Sequence, residues 1–184
     1  MRSLLLKKPQ NASWSFINGA AIIFLLAVSL YIVVRASVLS ITHDEALTVI
    51  YQGTKSYLDI FLYKKGNHPN NQLINSLLMR FGIGVFGYKD IVIRIAGLIG
   101  GLLYIVWAYK LSRKLFSRTF LFPLSLSLLI LNPYVLDFFS LARGYSLALG
   151  FLIISLLFFF NRYEDKEPKE AVRDKIKAFI FMSL

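Results

Sequence analysis

The sequence predicts an all-α, polytopic transmembrane helical protein with amphipathic helices on the membrane surface in its first large loop. The composition of the chain and the recurrence of long apolar runs predict this class. The 184 residues are 57% hydrophobic and only 17% charged, and their mean hydropathy is +0.60. Apolar runs about as long as a transmembrane helix recur along the chain, with basic residues at their ends. A soluble domain would normally carry about 25% charged residues and would lack such runs.

The charge balance also narrows the possible partners. The net charge is +11, but the basic residues cluster at the ends of apolar runs and do not form one stripe with interleaved aromatic residues. This distribution indicates membrane topology and membrane lipids as partners, and it argues against nucleic acid. The chain contains no cysteine, which excludes disulfides, thiolate metal sites and cysteine nucleophiles.

The first predicted span covers residues 15–35 and follows a cytoplasmic N-terminus of residues 1–14. Basic residues precede the apolar stretch, as they do in a secretory signal. The stretch is longer than a signal core, however, and further spans follow it, so we interpret it as an uncleaved anchor. Its basic flank then lies in the cytoplasm, and Arg35 ends the span at the far interface.

Residues 36–90 are predicted to form one exoplasmic loop, because no segment is apolar for long enough to cross. Apolar residues at helical spacing, from Leu58 to Leu62 and again from Leu73 to Phe81, predict two helices on the membrane surface. A small soluble subdomain packed over the spans explains the same periodicity equally well. The run Gly82–Gly87 fits the dinucleotide pattern G-x-G-x-x-G, but it follows an amphipathic helix instead of a strand, so we predict a turn there.

The remaining chain is predicted to alternate between spans and short connections. These are a span at 91–109, a basic cytoplasmic loop at 110–118, a span at 119–136, an exoplasmic turn at 137–144, a span at 145–160, a cytoplasmic loop at 161–177, and the start of a truncated fifth span at 178–184. This order predicts the N-terminal piece of a larger polytopic protein. Within the second span, Gly97 and Gly101 have the small-x-x-x-small spacing that lets helices approach closely.

The predicted topology brings three polar sets to the exoplasmic face. They are His43 with Asp44 and Glu45, then His68, and finally Asp137 with Arg143 and Tyr145. A carboxylate at the membrane surface can act as a general base for an acceptor hydroxyl or amine, and an arginine beside it can hold a phosphate oxygen. Together these groups suit group transfer from a phosphorylated lipid.

Each of these residues also has a structural interpretation. Asp44 and Glu45 fit an interface salt bridge or a helix start, since acidic residues favour helix N-termini. Asp137 fits either a second carboxylate of the substrate-binding site or an interfacial hydrogen-bonding residue, and Arg143 also fits an anchor at the membrane boundary. We expect Arg94 to be an interface anchor and not a ligand. The two histidines and the acidic pair could also bind a divalent cation, although no characteristic ligand spacing is present.

The chain resembles the N-terminal part of a C-type (GT-C) membrane glycosyltransferase of the protein mannosyltransferase and aminoarabinose transferase type. The residues that carry the resemblance are Thr42–Ala46 just after the first span, His68-Pro69 in the same loop, Arg94 at the second span, and Asp137–Tyr145 at the turn before the fourth. Their order and spacing match the family as a set.

The resemblance implies inverting transfer of a sugar from a polyprenyl-phosphate carrier to a lipid, glycan or protein acceptor, on the exoplasmic face of the bacterial cell membrane. It implies Asp44 as the catalytic base with support from Glu45. It also implies that Arg143, helped by Tyr145, binds the carrier phosphate and that His68 lines the donor or acceptor cavity. No cofactor is expected apart from the alternative of a divalent cation.

A polytopic transporter or a lipid-binding membrane subunit without enzymatic activity is the rival prediction. In such a protein the acidic residues and histidines would bind or gate an ion. Transporters tend to place ionisable groups in the middle of a span, whereas this chain has them at span ends and in loops. This placement favours the enzyme.

Overall fold

The protein, as a computed structural model, is described for residues 11–64, 72–117, 119–161 and 168–183. These residues form ten helices and no strand, which confirms the all-α prediction for them. The helices are α1 (Asn11–Val38), α2 (His43–Gln52), α3 (Tyr57–Phe61), α4 (Leu73–Phe86), α5 (Asp90–Ile93), α6 (Ile95–Phe116), α7 (Leu121–Ile130), α8 (Pro133–Phe139), α9 (Tyr145–Asn161) and α10 (Pro168–Ser183). Two predicted features, the first ten residues of the cytoplasmic N-terminus and His68, lie outside the described residues.

Two helices, α1 and α6, are long and apolar enough to cross a membrane. The predicted first span, 15–35, lies within α1. The predicted second span, 91–109, is displaced, because the helix breaks at Arg94 and α6 then continues to Phe116. Most of the predicted basic loop at 110–118 is therefore helical.

The predicted third span, 119–136, is divided between α7 and α8, which meet at an angle of 57° and together could form one bent span. Asn132 causes the new start, because its side chain accepts a hydrogen bond from the Tyr134 backbone N–H at 3.0 Å. Pro133 follows at the first helical position, where its missing N–H costs little. The predicted fourth span, 145–160, coincides with α9.

The predicted cytoplasmic loop at 161–177 is wrong for residues 168–177, which belong to α10. Pro168 stands at the helix start, where its fixed φ is already helical. Lys, Glu and Ala follow, and all three are good helix formers. The predicted boundary between this loop and the fifth span, at residue 178, was placed by hydropathy alone, without regard to helix propensity.

Helix α6 is the centre of the molecule and packs most closely on α9. Gly100 makes this approach possible, since a Cβ atom built there would lie 2.8 Å from the Cα of Leu147. On α9, a Cβ on Gly150 would lie 2.9 Å from the carbonyl oxygen of Gly100. The two backbones are therefore in direct contact, as small residues allow in membrane helix pairs.

The predicted pair of Gly97 and Gly101 also permits a close approach, but to a different element. A Cβ on Gly101 would lie 2.8 Å from the ring of Phe139 at the end of α8, and a Cβ on Gly97 would collide with the carbonyl of Leu141 just beyond it. These two glycines thus admit the chain between α8 and α9, which carries Ala142 and Arg143.

The outward surface of the described chain is apolar. On α1 the most exposed large side chains are Phe16, Ile23, Leu26, Leu30 and Val38. Helix α4 buries Asn75, Ser76 and Met79 and exposes Phe81 and Val85. Buried polar side chains beside exposed large apolar ones are unusual in a soluble helix, and this combination suits a lipid environment.

The predicted turn at Gly82–Gly87 is wrong except at its last residue. Helix α4 continues through Phe86, and Gly82 is buried against Val92. Within this run, Gly87 is the residue with a positive φ, of 75°. Because glycine adopts this conformation without steric cost, Gly87 ends the helix and turns the chain toward α5.

Candidate functional site

The site begins at the start of α2, which a link of four residues separates from the end of α1. Thr42 caps this helix: its hydroxyl accepts a hydrogen bond from the Glu45 N–H at 3.4 Å, and the Glu45 carboxylate accepts one from the Thr42 N–H at 2.9 Å. This reciprocal pair is a capping box. It directs the Glu45 side chain back into the protein. Asp44, about 100° away around the helix, is left facing outward.

Glu45 is completely buried and forms an ion pair with Arg94, which is also buried. The pair is bidentate, with Arg94 Nε at 2.8 Å from Oε1 and Nη2 at 2.9 Å from Oε2. Oε1 also accepts a hydrogen bond from the Ala142 N–H at 2.7 Å, and Oε2 accepts the bond from Thr42. Each carboxylate oxygen therefore has two donors, which fills its acceptor capacity.

Arg94 also holds the chain that leaves α1. Its Nη1 donates to the carbonyl oxygens of Ala36 at 2.8 Å and Leu39 at 2.6 Å, and its Nη2 donates to that of Ser40 at 3.0 Å. Carbonyls at a helix end have no partner within the helix. All five N–H groups of the guanidinium are thus used, and one side chain joins the end of α1 to α2 and to the break between α5 and α6.

The electrostatics of this pair favour two permanent charges. Burial raises the pKa of Glu45, but hydrogen bonds from Arg94, Thr42 and Ala142 and the charge of Arg94 together bring that pKa below its ordinary value. The hydrogen bond to Glu45 likewise keeps the pKa of Arg94 above its ordinary value despite burial. In this structure the Glu45 carboxylate has no free lone pair and no exposed surface, so it holds Arg94 and the Ala142 N–H in place, while its catalytic role stays a prediction.

Arg94 is the site residue whose position differs most from the prediction. We expected an interface anchor, and the structure instead buries the side chain fully against Glu45. The available signal was the pattern Thr42-x-x-Glu45, which predicts a capping box with the Glu45 carboxylate turned back toward the helix start; only its burial, which the pattern does not predict, creates the need for a cation. The sequence does not indicate which cation pairs with the Glu45 carboxylate, because Arg94 lies 49 residues further along the chain.

Asp44 and Arg143 form a second ion pair, and this one reaches the surface. The Asp44 side chain is 42% exposed and that of Arg143 is 26% exposed. Asp44 directly precedes Glu45, and Arg143 directly follows the residue whose N–H binds Glu45. The buried pair therefore fixes the backbone on both sides of the exposed one. The result is an accessible carboxylate held beside an accessible guanidinium.

Tyr145 lies beside this pair at the start of α9. It lines a small space of about 10 Å³ together with Thr48, Gln72, Ala142 and Arg143, which is about the size of one water molecule. Gln72 accepts a hydrogen bond from the Gly144 N–H. The Tyr145 ring packs at 4.9 Å from that of Phe138. Tyr145 and Arg143 thus line one small space, and their shared role toward a phosphate stays a prediction.

A larger cavity of about 590 Å³ shares Gln72 and Tyr145 with that small space. Its wall also includes Asn75, whose Nδ2 donates to the Ala142 carbonyl at 3.5 Å. The Asn75 Oδ1 is buried and has no hydrogen-bond partner among the described residues. The described part of the lining contains amide and hydroxyl groups and no charged residue, so it suits an uncharged ligand with several hydroxyl groups.

Asp137 takes a different partner from the one its position suggested. Its carboxylate lies 2.8 Å from Nη2 of Arg35 near the end of α1, and both side chains are substantially exposed. Arg35 is also bonded to the Tyr31 hydroxyl at 3.0 Å. Asp137 therefore belongs to a separate surface pair that ties α8 to α1, and it is not joined to Asp44 or Arg143.

The two histidines do not define a metal centre in the described chain. His43 is exposed at the first residue of α2, while His68 lies outside the described residues. Within the residues that are described, no three His, Cys, Asp or Glu side chains are grouped closely enough to hold a metal ion. Since His68 was part of the expected ligand set, the divalent cation stays a prediction.

Comparisons with known proteins supply no relative for this geometry. No protein-family model, curated protein or solved structure matches the chain. The resemblance to GT-C enzymes therefore stays a prediction, and the functional argument depends on the site itself.

Proposed function

We propose that this chain provides the acidic site of a multi-pass membrane glycosyltransferase, which moves a sugar from a polyprenyl-phosphate carrier to an acceptor on the exoplasmic face. The observation that carries the proposal is the accessible Asp44–Arg143 pair, built on the buried Glu45–Arg94 pair. A general base beside a phosphate-binding cation is what such a transfer needs. The geometry also agrees with the roles that the resemblance implies for Asp44 and Arg143.

The placement of charge along α6 supports the proposed membrane orientation. The site lies at the amino end of this helix and at the carboxyl end of α1, while Lys110, Arg113 and Lys114 lie toward the carboxyl end of α6. A helix of 22 residues is about 33 Å long, which matches the hydrocarbon core. Because basic residues favour the cytoplasmic side, the Asp44 site faces the exoplasm in this proposal.

In the proposed reaction, the Asp44 carboxylate accepts the proton of an acceptor hydroxyl. The acceptor oxygen attacks the anomeric carbon of the sugar as the bond from that carbon to the phosphate oxygen breaks. The electron pair leaves with the phosphate, whose oxygens receive hydrogen bonds from Arg143, and Asp44 later releases its proton to water. This single displacement inverts the anomeric centre. Arg143 exchanges its contact with Asp44 for the phosphate, which frees the carboxylate to act as base.

The buried pair serves this reaction by fixing the backbone that carries the two reacting side chains. Glu45 holds the Ala142 N–H, and Arg94 holds the end of α1, so Asp44 and Arg143 start from a rigid frame. Preorganised charges lower a barrier most when they need not rearrange. The uncharged cavity beside Tyr145 is where the sugar would be bound in this proposal.

The decisive experiment compares Asp44→Asn with Asp59→Asn in membranes that contain the complete protein. Transfer of radiolabelled sugar from candidate polyprenyl-phosphate donors is measured for each. Loss of a general base lowers transfer by about 10²- to 10⁴-fold, whereas Asp59, which pairs locally with Ser56, serves as the matched control. Sugar transfer retained by Asp44→Asn would refute the proposed role of Asp44 as the general base.

Arg143 provides an independent test. Arg143→Gln removes the cation that would hold the leaving phosphate, so we expect a strong loss of kcat/KM for the donor. Arg143→Lys retains the charge but loses the planar, bidentate geometry, and should recover only part of the activity. Full activity in both variants would remove Arg143 from the reaction.

A further inference from the structure

A second cavity, of about 740 Å³, lies at the opposite end of α6 from the Asp44 site. It is lined by residues from the start of α1 and the last turns of α6, namely Trp14, Val106, Tyr109, Lys110, Arg113, Lys114 and Ser117. Since α6 has 22 residues, this cavity lies about 30 Å from the Asp44 site. The proposed sugar transfer makes no use of it.

The cavity carries three positive charges on one face of α6. Lys110, Arg113 and Lys114 are spaced at i, i+3 and i+4, which makes them neighbours on the helix surface. Among the residues that the structure describes, no acidic side chain lines the cavity. Across the described part of the chain, no carboxylate forms an ion pair with Lys110 or Arg113. Lys110 and Arg113 are therefore available to an anion, whereas Lys114 donates a hydrogen bond to Asn161 Oδ1.

Aromatic groups hold two of the cations in place. Arg113 donates from Nη1 to the Tyr109 hydroxyl at 3.3 Å, and the Lys110 Nζ lies 4.1 Å from the centre of the Trp107 ring. The remaining N–H groups of Arg113 have no partner among the described residues. Cation–π contact positions a lysine without neutralising it. Both heads keep their charge and their donors for a ligand.

The inner side of the same cavity is apolar. Val106, one turn before Lys110, is 48% exposed, and Trp14 faces it from α1. Tryptophan favours the interface between headgroups and acyl chains, and basic side chains extend from there toward the headgroups. A ligand that fills this cavity therefore carries an anionic group at one end and hydrocarbon at the other.

The helix dipole opposes an anion here, but it is the weaker effect. The carboxyl end of a helix acts as about half a negative charge, whereas Lys110 and Arg113 bring two full positive charges within about one turn. The net field thus favours an anion. Basic residues that serve only to set topology need no shared cavity, so this arrangement indicates more than the positive-inside rule.

We propose that this cavity binds the headgroup of an anionic phospholipid. Arg113 and Lys110 hold the lipid phosphate, and Val106 with Trp14 covers the start of an acyl chain. The proposal rests on the membrane insertion proposed above, but not on sugar transfer. A failed transfer assay therefore leaves it standing, and a failed lipid assay leaves the transfer proposal standing.

The test is native mass spectrometry of the purified full chain in detergent, titrated with phosphatidylglycerol, phosphatidylcholine or glycerol 3-phosphate. We expect one phosphatidylglycerol to bind more tightly than phosphatidylcholine. Lys110→Gln/Arg113→Gln should weaken that binding by about 25-fold, since each basic residue near the headgroups contributes about fivefold. The matched control, Lys89→Gln/Lys175→Gln, removes the same charge outside the cavity and should bind like the wild type.

Three results would overturn the proposal. The first is equal loss in the control variant, which would mean attraction by net charge alone. The second is equal binding of the two phospholipids by the wild-type protein. The third is binding of glycerol 3-phosphate as tight as that of phosphatidylglycerol, which would make this a phosphate site without a lipid. The exchange Lys110→Arg/Arg113→Lys keeps both charges and should retain binding, which separates loss of the site from loss of the fold.

Discussion

The buried pair offers the sharpest test of the architecture, through the variant Arg94→Met. The substitution keeps an apolar side chain of similar length and removes all five donors. Glu45 then keeps two of its four hydrogen bonds, and the carbonyls of Ala36, Leu39 and Ser40 lose their donor. Glu45 is left as a buried carboxylate without a counter-charge.

The expected loss of stability follows from these contacts. Breaking a buried ion pair by removing one partner costs about 3–5 kcal/mol. An unsatisfied buried carbonyl adds about 1–3 kcal/mol, but this applies in full only to Ala36, because the bonds to Leu39 and Ser40 are partly buried and water can replace the donor there. We therefore expect Arg94→Met to destabilise the protein by at least about 3 kcal/mol.

A double-mutant cycle with Glu45→Gln isolates the pair itself. Unfolding is followed by the fluorescence of Trp14 and Trp107 as a denaturing detergent is added to mixed micelles. The double variant should lose about 1.5–3 kcal/mol less than the sum of the single variants, since the second change removes a partner that is already lost. Arg35→Met, in a half-exposed pair, is the control and should cost about 1 kcal/mol or less. An additive cycle, or a cost below about 1 kcal/mol for Arg94→Met, would refute the buried bidentate pair.

Three further predictions concern acid stability, helix packing and the surface pair. Because the folded-state pKa of Glu45 is depressed, the ionised carboxylate stabilises the folded protein fully above about pH 4.3, and this stabilisation is lost as pH falls through the folded-state pKa. The free energy of unfolding, measured as pH is lowered, should show this loss in the wild type but not in Glu45→Gln. Gly100→Ala should cost about 1–3 kcal/mol in the micelle assay because α9 leaves no room for Cβ, whereas Gly19→Ala, with open space around it, should be neutral or stabilising. Asp137→Asn breaks an exposed pair with Arg35, so it should cost below about 1 kcal/mol and leave sugar transfer intact; a loss as large as that of Asp44→Asn would return Asp137 to the site.

Local patterns predicted the elements whose causes are local. Continuous apolar runs located α1 and α9 to within a few residues, because hydropathy alone decides such helices. The prediction missed the break at Asn132-Pro133, where hydropathy stays high but the cap of a new helix changes the chain direction. It also missed the helix that starts at Pro168 among charged residues. Both signals are present in the sequence as a proline at the first helical position.

The candidate site was predicted only in part, because its partners are far apart in sequence. Asp44 and Arg143 were expected on one face and form an ion pair there. Neighbouring acidic residues differ by about 100° on a helix, so Asp44 and Glu45 could not share a role once α2 formed. The burial of Asn75 could not be predicted, because α4 buries Asn75 and Ser76 together with Met79 and leaves Phe81 exposed.

Stability alone does not account for the buried pair. Replacing a buried ion pair by apolar residues of similar volume is often neutral or stabilising, since desolvation offsets the attraction between the charges. Apolar residues, however, could not bind the Ala142 N–H or the carbonyls at the end of α1. The charges therefore matter for what they hold in place. Glu45 and Ala142 each adjoin one member of the exposed pair, so a saturated buried pair is what keeps Asp44 and Arg143 together at the surface.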